Sequence, residues 1–139
     1  MIYVKFAIGI LILFILWLIY STCILCTQSN NEHILLIKEK FGKIDPSYED
    51  IVIVEGRVGG GTYTLNKRKI VMCITDPISK QPYPENVQMY VALHELAHVI
   101  SKTYGHNEEF DRNFKSLLLQ AQRKGVYTPI SRPPPTYCV

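Results

Sequence analysis

The chain has 139 residues, which is room for one small globular domain beside a targeting segment. It is 47% hydrophobic and 19% charged, a composition that excludes a disordered protein and a fibrous repeat. The formal net charge of +3 at pH 7 is small, so we expect no nucleic-acid partner.

The N-terminal segment is apolar and carries Lys5 as its one charged side chain up to residue 26. Because about 20 apolar residues suffice to cross a bilayer core, we predict a transmembrane anchor over residues 1–27 and a single-pass membrane localisation. Trp17 and Tyr20 lie near one end, where aromatic rings favour the headgroup level. The alternative is a cleaved signal peptide. Basic residues flank both ends of the segment, so its orientation stays open.

The remaining residues, 28–139, read as one α+β domain. The glycine-rich stretch 56–61 and the pair Asn66-Lys67 separate short β-prone runs, and two longer segments have no helix breaker. Pro133 to Pro135 prevent a helix near the end, so we expect an extended, proline-rich C-terminal tail. The predicted elements are helices over 34–41, 84–102 and 108–124 and strands over 51–55, 62–65 and 69–75. We predict that Asn107 caps the last helix and that its apolar stripe packs against the helix 84–102; the stripe is Phe110, Phe114, Leu117, Leu118 and Ala121.

One helix carries the motif that points to chemistry. His94-Glu95-Leu96-Ala97-His98 is an HExxH sequence inside a segment that is apolar around most of its circumference. Residues four apart lie on one face of a helix, so both imidazoles can reach one Zn²⁺ ion. Glu95 follows the first histidine and is oriented to act as a general base on water rather than as a ligand.

A catalytic zinc site needs a third protein ligand. His106 is the candidate that we favour, because Gly105 before it lets the chain turn back towards the helix. Glu108 and Glu109 are alternatives, although acidic residues in the first turn of a helix also complement its dipole. A separate hypothesis places Cys138 at the fourth zinc position, as an inhibitory thiolate. Three tyrosines are candidate oxyanion donors: Tyr104, Tyr127 and Tyr137.

The motif HELAH, followed after seven residues by His106 within Gly-His-x-x-x-Phe, resembles the WLM and SprT/Spartan-like zinc metallopeptidases. The longer run TYTLNKRKIVMCITD, YVALHELAHV, GHNEEF and the terminal Pro-x-Tyr-Cys resembles a branch of that group encoded by large double-stranded DNA viruses. The resemblance covers about residues 50–139. It implies a zincin-like α+β fold in which a small antiparallel or mixed sheet packs on the HExxH helix and a second helix. It also implies His94, His98 and His106 as zinc ligands and Glu95 as general base.

These observations predict a membrane-anchored zinc metallopeptidase with a peptide or protein as substrate. We expect the substrate to lie extended along the strand 69–75, as the edge of the sheet. Two alternatives remain open. One is a DNA–protein crosslink repair protease, the role associated with the Spartan and WLM proteins. The other is a non-catalytic membrane or virion protein that keeps zinc for structure, against which Glu95 argues because a structural site needs no general base.

Overall fold

The computed structural model describes residues 9–18, 31–130 and 137. Within these residues, four helices and a mixed three-stranded sheet form the α+β arrangement that the sequence predicts. Residues 9–18 are helical and are labelled α1. A single 3-10 turn, Pro46–Tyr48, follows α2. The other elements are α2 (Glu32–Ile44), β1 (Val52–Glu55), β2 (Tyr63–Leu65), β3 (Lys69–Met72), α3 (Glu85–Ile100) and α4 (Glu108–Arg123).

The apolar side chains of α1 are exposed, as illustrated by Ile10 at 66% and Trp17 at 60% of their full accessible area. In the described part of the chain, no helix combines the length and the apolar character that crossing a bilayer requires. The predicted anchor over residues 1–27 extends past α1 on both sides, outside the described residues. The anchor therefore stays a prediction.

The sheet has the strand order β1–β3–β2, with β3 in the middle. Val54 of β1 is paired in parallel with Val71, and Tyr63 of β2 is paired in antiparallel with the same residue. The prediction that residues 69–75 form the sheet edge is therefore wrong. The apolar run in this segment belongs to a central strand, in which Ile70, Val71 and Met72 are all buried.

Strand β3 is also shorter than predicted. The backbone N–H of Cys73 donates to the side-chain oxygen of Thr62 at 2.9 Å, so the pairing with a neighbouring strand ends there. Strands β1 and β2 form the two edges of the sheet, and within the described residues no further strand pairs with the free side of β2.

Helix α3 ends at Ile100, two residues before the predicted end at residue 102. Ser101 has an extended backbone (ψ 139°), and both its N–H and its hydroxyl donate to the carbonyl of Ala97. The hydroxyl thus satisfies a carbonyl at the end of the helix and allows the chain to leave it. Asn107 caps α4 as predicted, since its side chain accepts from the N–H of Phe110.

The core lies where α3 packs between the sheet and the two helices α2 and α4. Leu93 and Leu96 of α3 have no exposed area, and they share the core with Phe110 and Leu117 of α4, as the apolar stripe of α4 predicts. Full burial of one such leucine stabilises the fold by about 1.5–3 kcal/mol. The HExxH motif therefore lies on the helix that has the most buried residues among the described helices.

The C-terminal end touches the domain through Tyr137. Its hydroxyl donates to the carbonyl of Cys73 at 2.6 Å, and its ring stacks on Tyr83 with 4.3 Å between centroids. Cys73 itself takes part in a disulfide. Pro133 to Pro135 and Cys138 lie outside the described residues, so the extended tail and the role of Cys138 stay predictions.

Candidate metal centre

Helix α3 presents His94 and His98 side by side, with 5.1 Å between their ring centroids. His106 approaches them from the loop between α3 and α4. One nitrogen from each of the three rings lies within 4.8 Å of the other two, and the Nε2 atoms of His94 and His106 are 3.0 Å apart. The structure thus brings together the three histidines that the sequence singles out.

The loop before α4 determines where His106 lies. Gly105 has a φ of +82°, in the left-handed region that glycine adopts without strain, and there the chain reverses towards α3. Asn107 then fixes the start of α4 by accepting from Phe110 N–H, and its amide donates to Thr103 Oγ1 at 2.6 Å. His106 is therefore held between a reversal and a helix cap.

Phe110 forms the floor of the histidine cluster. Its ring centroid lies 4.9 Å from His94, 4.4 Å from His98 and 4.7 Å from His106, and the residue is 2% exposed. This contact explains the phenylalanine of the Gly-His-x-x-x-Phe pattern, since an apolar ring at this place excludes water from one side of all three imidazoles. The sequence predicts that Phe110 is a core residue, but it does not predict the contact between Phe110 and the three histidines.

The environment keeps the inner histidines neutral. Burial, followed by the neighbouring His98 and His106, lowers the pKa of His94 to about 4. Burial, His106 and Lys67 likewise lower the pKa of His98. Because zinc binds the unprotonated imidazole, a cluster that disfavours the imidazolium form is suited to bind the ion near neutral pH.

Glu95 lies beside the cluster and is 6% exposed. Burial raises the pKa of its carboxyl, and a hydrogen bond from Thr64 partly opposes that rise. The Thr64 hydroxyl lies 2.7 Å from Glu95 Oε2 and 3.1 Å from the main-chain carbonyl of the same residue. Strand β2 thus carries a hydroxyl that orients the carboxyl group.

The donor set fits zinc. Three neutral imidazoles are a ligand set that catalytic zinc sites use, with Zn–N bonds of about 2.0–2.1 Å that bring nitrogens roughly 3.4 Å apart. The separations within the cluster, from 3.0 Å up to 4.8 Å, span that value. Glu95 is not a member of the cluster of potential ligands, as expected for a general base.

The alternative third ligands are occupied elsewhere. Glu108 is exposed and lies 3.7 Å from Arg112, one turn along α4. Glu109 accepts hydrogen bonds from the backbone N–H groups of Lys102 and Thr103. His33, the fourth histidine, lies 3.3 Å from Gln88 and outside the cluster.

Of the three tyrosines considered as oxyanion donors, the structure places Tyr104 at the cleft. Tyr127 is buried and its ring lies 6.3 Å from that of Tyr90, and Tyr137 is bound to the Cys73 carbonyl. The two latter hydroxyls are therefore poor candidates.

The cluster opens into a cleft of about 400 Å³ between β2 and the loop that follows α3. Its walls include two residues that the sequence analysis did not assign to the site, Thr64 and Lys67. From the sequence alone, the triplet Lys67-Arg68-Lys69 is interpreted as a solvated turn, because nothing in the sequence shows that this turn faces the end of α3. The place of Thr64 and Lys67 in the site could be predicted only if the pairing register of β2 with β3 were known.

No protein-family model matches the chain. Two sequence relatives come from invertebrate iridescent viruses. Uncharacterized protein 042R of invertebrate iridescent virus 3 is 38% identical over 91 residues, which is 66% of this chain and 55% of the relative. Uncharacterized protein 136R of invertebrate iridescent virus 6 is 39% identical over 71 residues, which is 50% of this chain and 40% of the relative. The chain thus spans about half the length of these curated relatives.

Among solved structures, the chain is similar to Wss1 from Saccharomyces cerevisiae. The TM-score is 0.54 at 22% identity, and the match covers 70% of this chain and 86% of that chain. A Wss1 mutant gives the same TM-score and identity over 73% of this chain and 90% of the other. This likeness supports the WLM-like fold that the sequence resemblance implies.

Proposed function

We propose that the protein is a zinc-dependent metallopeptidase of the zincin type in which His94, His98 and His106 hold the metal and Glu95 is the general base. The observation that carries the proposal is the convergence of three imidazole nitrogens within 4.8 Å beside a buried carboxyl group, in a cleft open to solvent. The resemblance of HELAH and GHNEEF to WLM and SprT-like peptidases supports it.

Zinc, when bound, supplies Lewis-acid activation of a water molecule and of the scissile carbonyl. Glu95 accepts the proton that the attacking water loses and delivers it to the leaving amine. The Thr64 hydroxyl serves both forms of the carboxyl group. It donates to the ionised Oε2, and it accepts from the protonated form while donating to the Glu95 carbonyl, because both oxygens are within hydrogen-bond distance.

The proposed substrate site lies along β2. Within the described residues this strand is paired on one side by β3, and Tyr63 and Thr64 line the cleft. An extended peptide can add to such an edge through main-chain hydrogen bonds and place its carbonyl beside the histidine cluster. We therefore propose that the substrate peptide pairs with β2 and not with the central strand β3.

The proposal extends to the membrane and to a viral setting. The apolar segment over residues 1–27 would anchor the domain in a bilayer, and the matches to two iridescent-virus proteins support placement in a virus-encoded branch. Flotation of the full-length chain with lipid vesicles tests the anchor. A chain lacking residues 1–27 should stay at the bottom of the gradient, and flotation of that shortened chain would contradict the anchor.

Peptide cleavage by the full-length chain, purified in mild detergent and loaded with zinc, tests the activity. We expect Glu95→Gln to lower kcat by about 10²–10⁴-fold, the usual contribution of a general base, while the bound zinc stays at the wild-type amount. Glu108→Gln is the matched control, because Glu108 is an exposed carboxylate outside the cluster. Full activity in Glu95→Gln would contradict the proposal and favour the non-catalytic alternative.

A crosslink-repair protease uses the same chemistry on a different substrate. The fold likeness to Wss1 supports that alternative, whereas the net charge of +3 offers no strong attraction to DNA. The two readings separate in one assay, cleavage of a protein covalently attached to DNA against cleavage of the same protein alone. Equal rates favour the general peptidase, and a rate that requires DNA favours repair.

A further inference from the structure

The turn between β2 and β3 contains an unusual lysine. Arg68 N–H donates to the carbonyl of Leu65 at 3.0 Å, and the two residues between them, Asn66 and Lys67, have φ values of +49° and +55°. Positive φ at both central residues is typical of a type I′ turn, in which glycine is strongly preferred at the second central position. The turn lies within the three residues, 66–68, that separate the last paired positions Leu65 and Lys69. A lysine there adopts a backbone conformation that is strained for any residue with a side chain, so its side chain is the feature to explain.

The Lys67 side chain crosses the mouth of the cleft to the end of α3. Its ammonium group donates to the carbonyls of Ser101 and Thr103 at 2.6 Å and 2.7 Å, and it lies 4.3 Å from the centroid of the Tyr104 ring. Ser101 is the C-cap of α3 and Thr103 lies two residues beyond it, so both carbonyls lie outside the helix near the negative end of its dipole. A cation is therefore well placed there.

A carboxylate binds the same loop through its amide groups. Glu109, in the first turn of α4, accepts from the N–H groups of Lys102 and Thr103 at 2.9 Å and 3.0 Å and from the Thr103 hydroxyl at 2.6 Å. Two consecutive residues thus give their amides to an anion, while the carbonyls on either side of Lys102 go to Lys67. The loop is fastened by charged groups from two different elements.

Apolar burial contributes little to the position of this loop. Tyr104 is 79% exposed, and residues 102 to 106 are all exposed. A segment with few buried contacts opens readily unless specific hydrogen bonds hold it. The three hydrogen-bonded positions, 101 to 103, lie three to five residues before His106, so a loose loop would leave the third histidine to be ordered when the metal binds.

We propose that Lys67 is a positioning residue for the third metal ligand. Its ammonium group fixes the loop from Ser101 to Gly105, and it thereby presents His106 to the two histidines of α3 before the metal arrives. The proposal rests on the proposed zinc site. It makes the hairpin turn part of the metal site, although Lys67 is not one of the potential metal ligands.

The chain offers a matched pair of variants for the test. Lys67→Gly removes the side chain and keeps the left-handed turn, because glycine adopts positive φ without strain. Lys80→Gly makes the same change at an exposed lysine with a φ of +59° that does not line the cleft. Lys67→Arg keeps a cation with several N–H donors at the same place, and Lys67→Met keeps the length of the side chain without the charge.

The experiment is a titration of the metal-free full-length chain with Zn²⁺, together with the visible spectrum of bound Co²⁺. We expect Lys67→Gly and Lys67→Met to weaken Zn²⁺ binding by about 10- to 100-fold, the range for residues that orient metal ligands, and to alter the Co²⁺ spectrum. Lys80→Gly and Lys67→Arg should keep a Zn²⁺ affinity within about threefold of the wild-type value.

The outcomes separate this proposal from the zinc site itself. Wild-type affinity in both Lys67→Gly and Lys67→Met would overturn the positioning role and leave the zinc site standing, and so would equal weakening in Lys80→Gly. Loss of affinity that Lys67→Arg does not restore would also overturn it, because the cation would not be the cause. A wild-type chain that binds no metal would overturn the zinc site and this proposal together.

Discussion

The two halves of the site differ in what holds them. The inner half, His94, Glu95 and His98, lies on one buried helix, and its geometry follows from the helical repeat and from the core behind it. The outer half, His106 on its exposed loop, depends on Gly105, a helix cap and hydrogen bonds to Lys67 and Glu109. A motif can therefore fix the inner ligands, whereas the third ligand depends on contacts that the motif does not contain.

The largest expected effect is on zinc affinity, when one metal ligand is removed from either half of the site. Without His98, the metal keeps one ligand on the helix and one on the loop, whereas without His106 it keeps the two that the helix already aligns. We expect His98→Ala to weaken Zn²⁺ binding about tenfold more than His106→Ala, because an exposed loop held by hydrogen bonds constrains its ligand less than the buried helix does. Competition with a zinc chelator measures both, and equal losses would contradict a preformed inner half.

The dependence of the inner half on the core can be tested without metal. Leu96 is fully buried on α3, and we expect Leu96→Ala to lower the free energy of unfolding by about 2–5 kcal/mol in the presence of a chelator. Leu119→Ala on α4 is the control, because Leu119 is 54% exposed and should change stability little. Urea unfolding checks both variants. Similar effects at the two positions would argue against the packing described for α3.

The contact between β2 and the general base joins the inner half to the sheet. Thr64→Val removes the hydroxyl that orients Glu95, and we expect a loss in kcat of about tenfold with unchanged zinc content. Thr64→Ser keeps the hydroxyl and should keep most of the activity. Steady-state peptide cleavage with metal analysis measures both. If valine were tolerated and serine were not, the β-branched side chain and its packing would matter instead of the hydrogen bond.

The smallest expected effect concerns the anion that fastens the outer half. Hydrogen bonds from the Thr103 hydroxyl and from the amides of Lys102 and Thr103 lower the pKa of Glu109 from 4.5 to about 2. A depressed pKa in the folded state means that the ionised carboxylate stabilises the fold. That contribution is complete above about pH 4.5 and disappears as the pH falls towards 2.

We therefore expect Glu109→Gln to unfold at lower urea concentration than wild type at pH 7. The difference between the two proteins should shrink below about pH 4.5, where the wild-type carboxylate loses its advantage. Urea midpoints at several pH values measure this, with Glu108→Gln as the exposed control. A difference that is constant from pH 3 to pH 7 would show that the charge of Glu109 is not involved.

The sequence predicts the parts that depend on local periodicity. The apolar spacing of α3 and α4, the cap at Asn107 and the pair of histidines four residues apart all follow from the helical repeat. The termini of α3 and β3 differ from the prediction because side chains, the hydroxyls of Ser101 and Thr62, compete with the backbone for hydrogen bonds.

What the sequence does not predict depends on contacts between distant segments. Strand β3 appears as an edge until its pairing with both β1 and β2 is known. Thr64 and Lys67 enter the site only because the β2–β3 hairpin is placed against α3 and the loop after it, some 30 residues further along the chain. No local pattern records such a contact.

Metal analysis of the full-length chain tests the central claim most directly. After dialysis against limiting Zn²⁺, we expect about one zinc per wild-type chain and in Glu95→Gln, and much less in His94→Ala and His106→Ala. Zinc kept by His106→Ala at wild-type affinity would contradict the three-histidine site and return the third position to Glu108, Glu109 or Cys138. A folded wild-type chain that holds no zinc would contradict the metallopeptidase account as a whole.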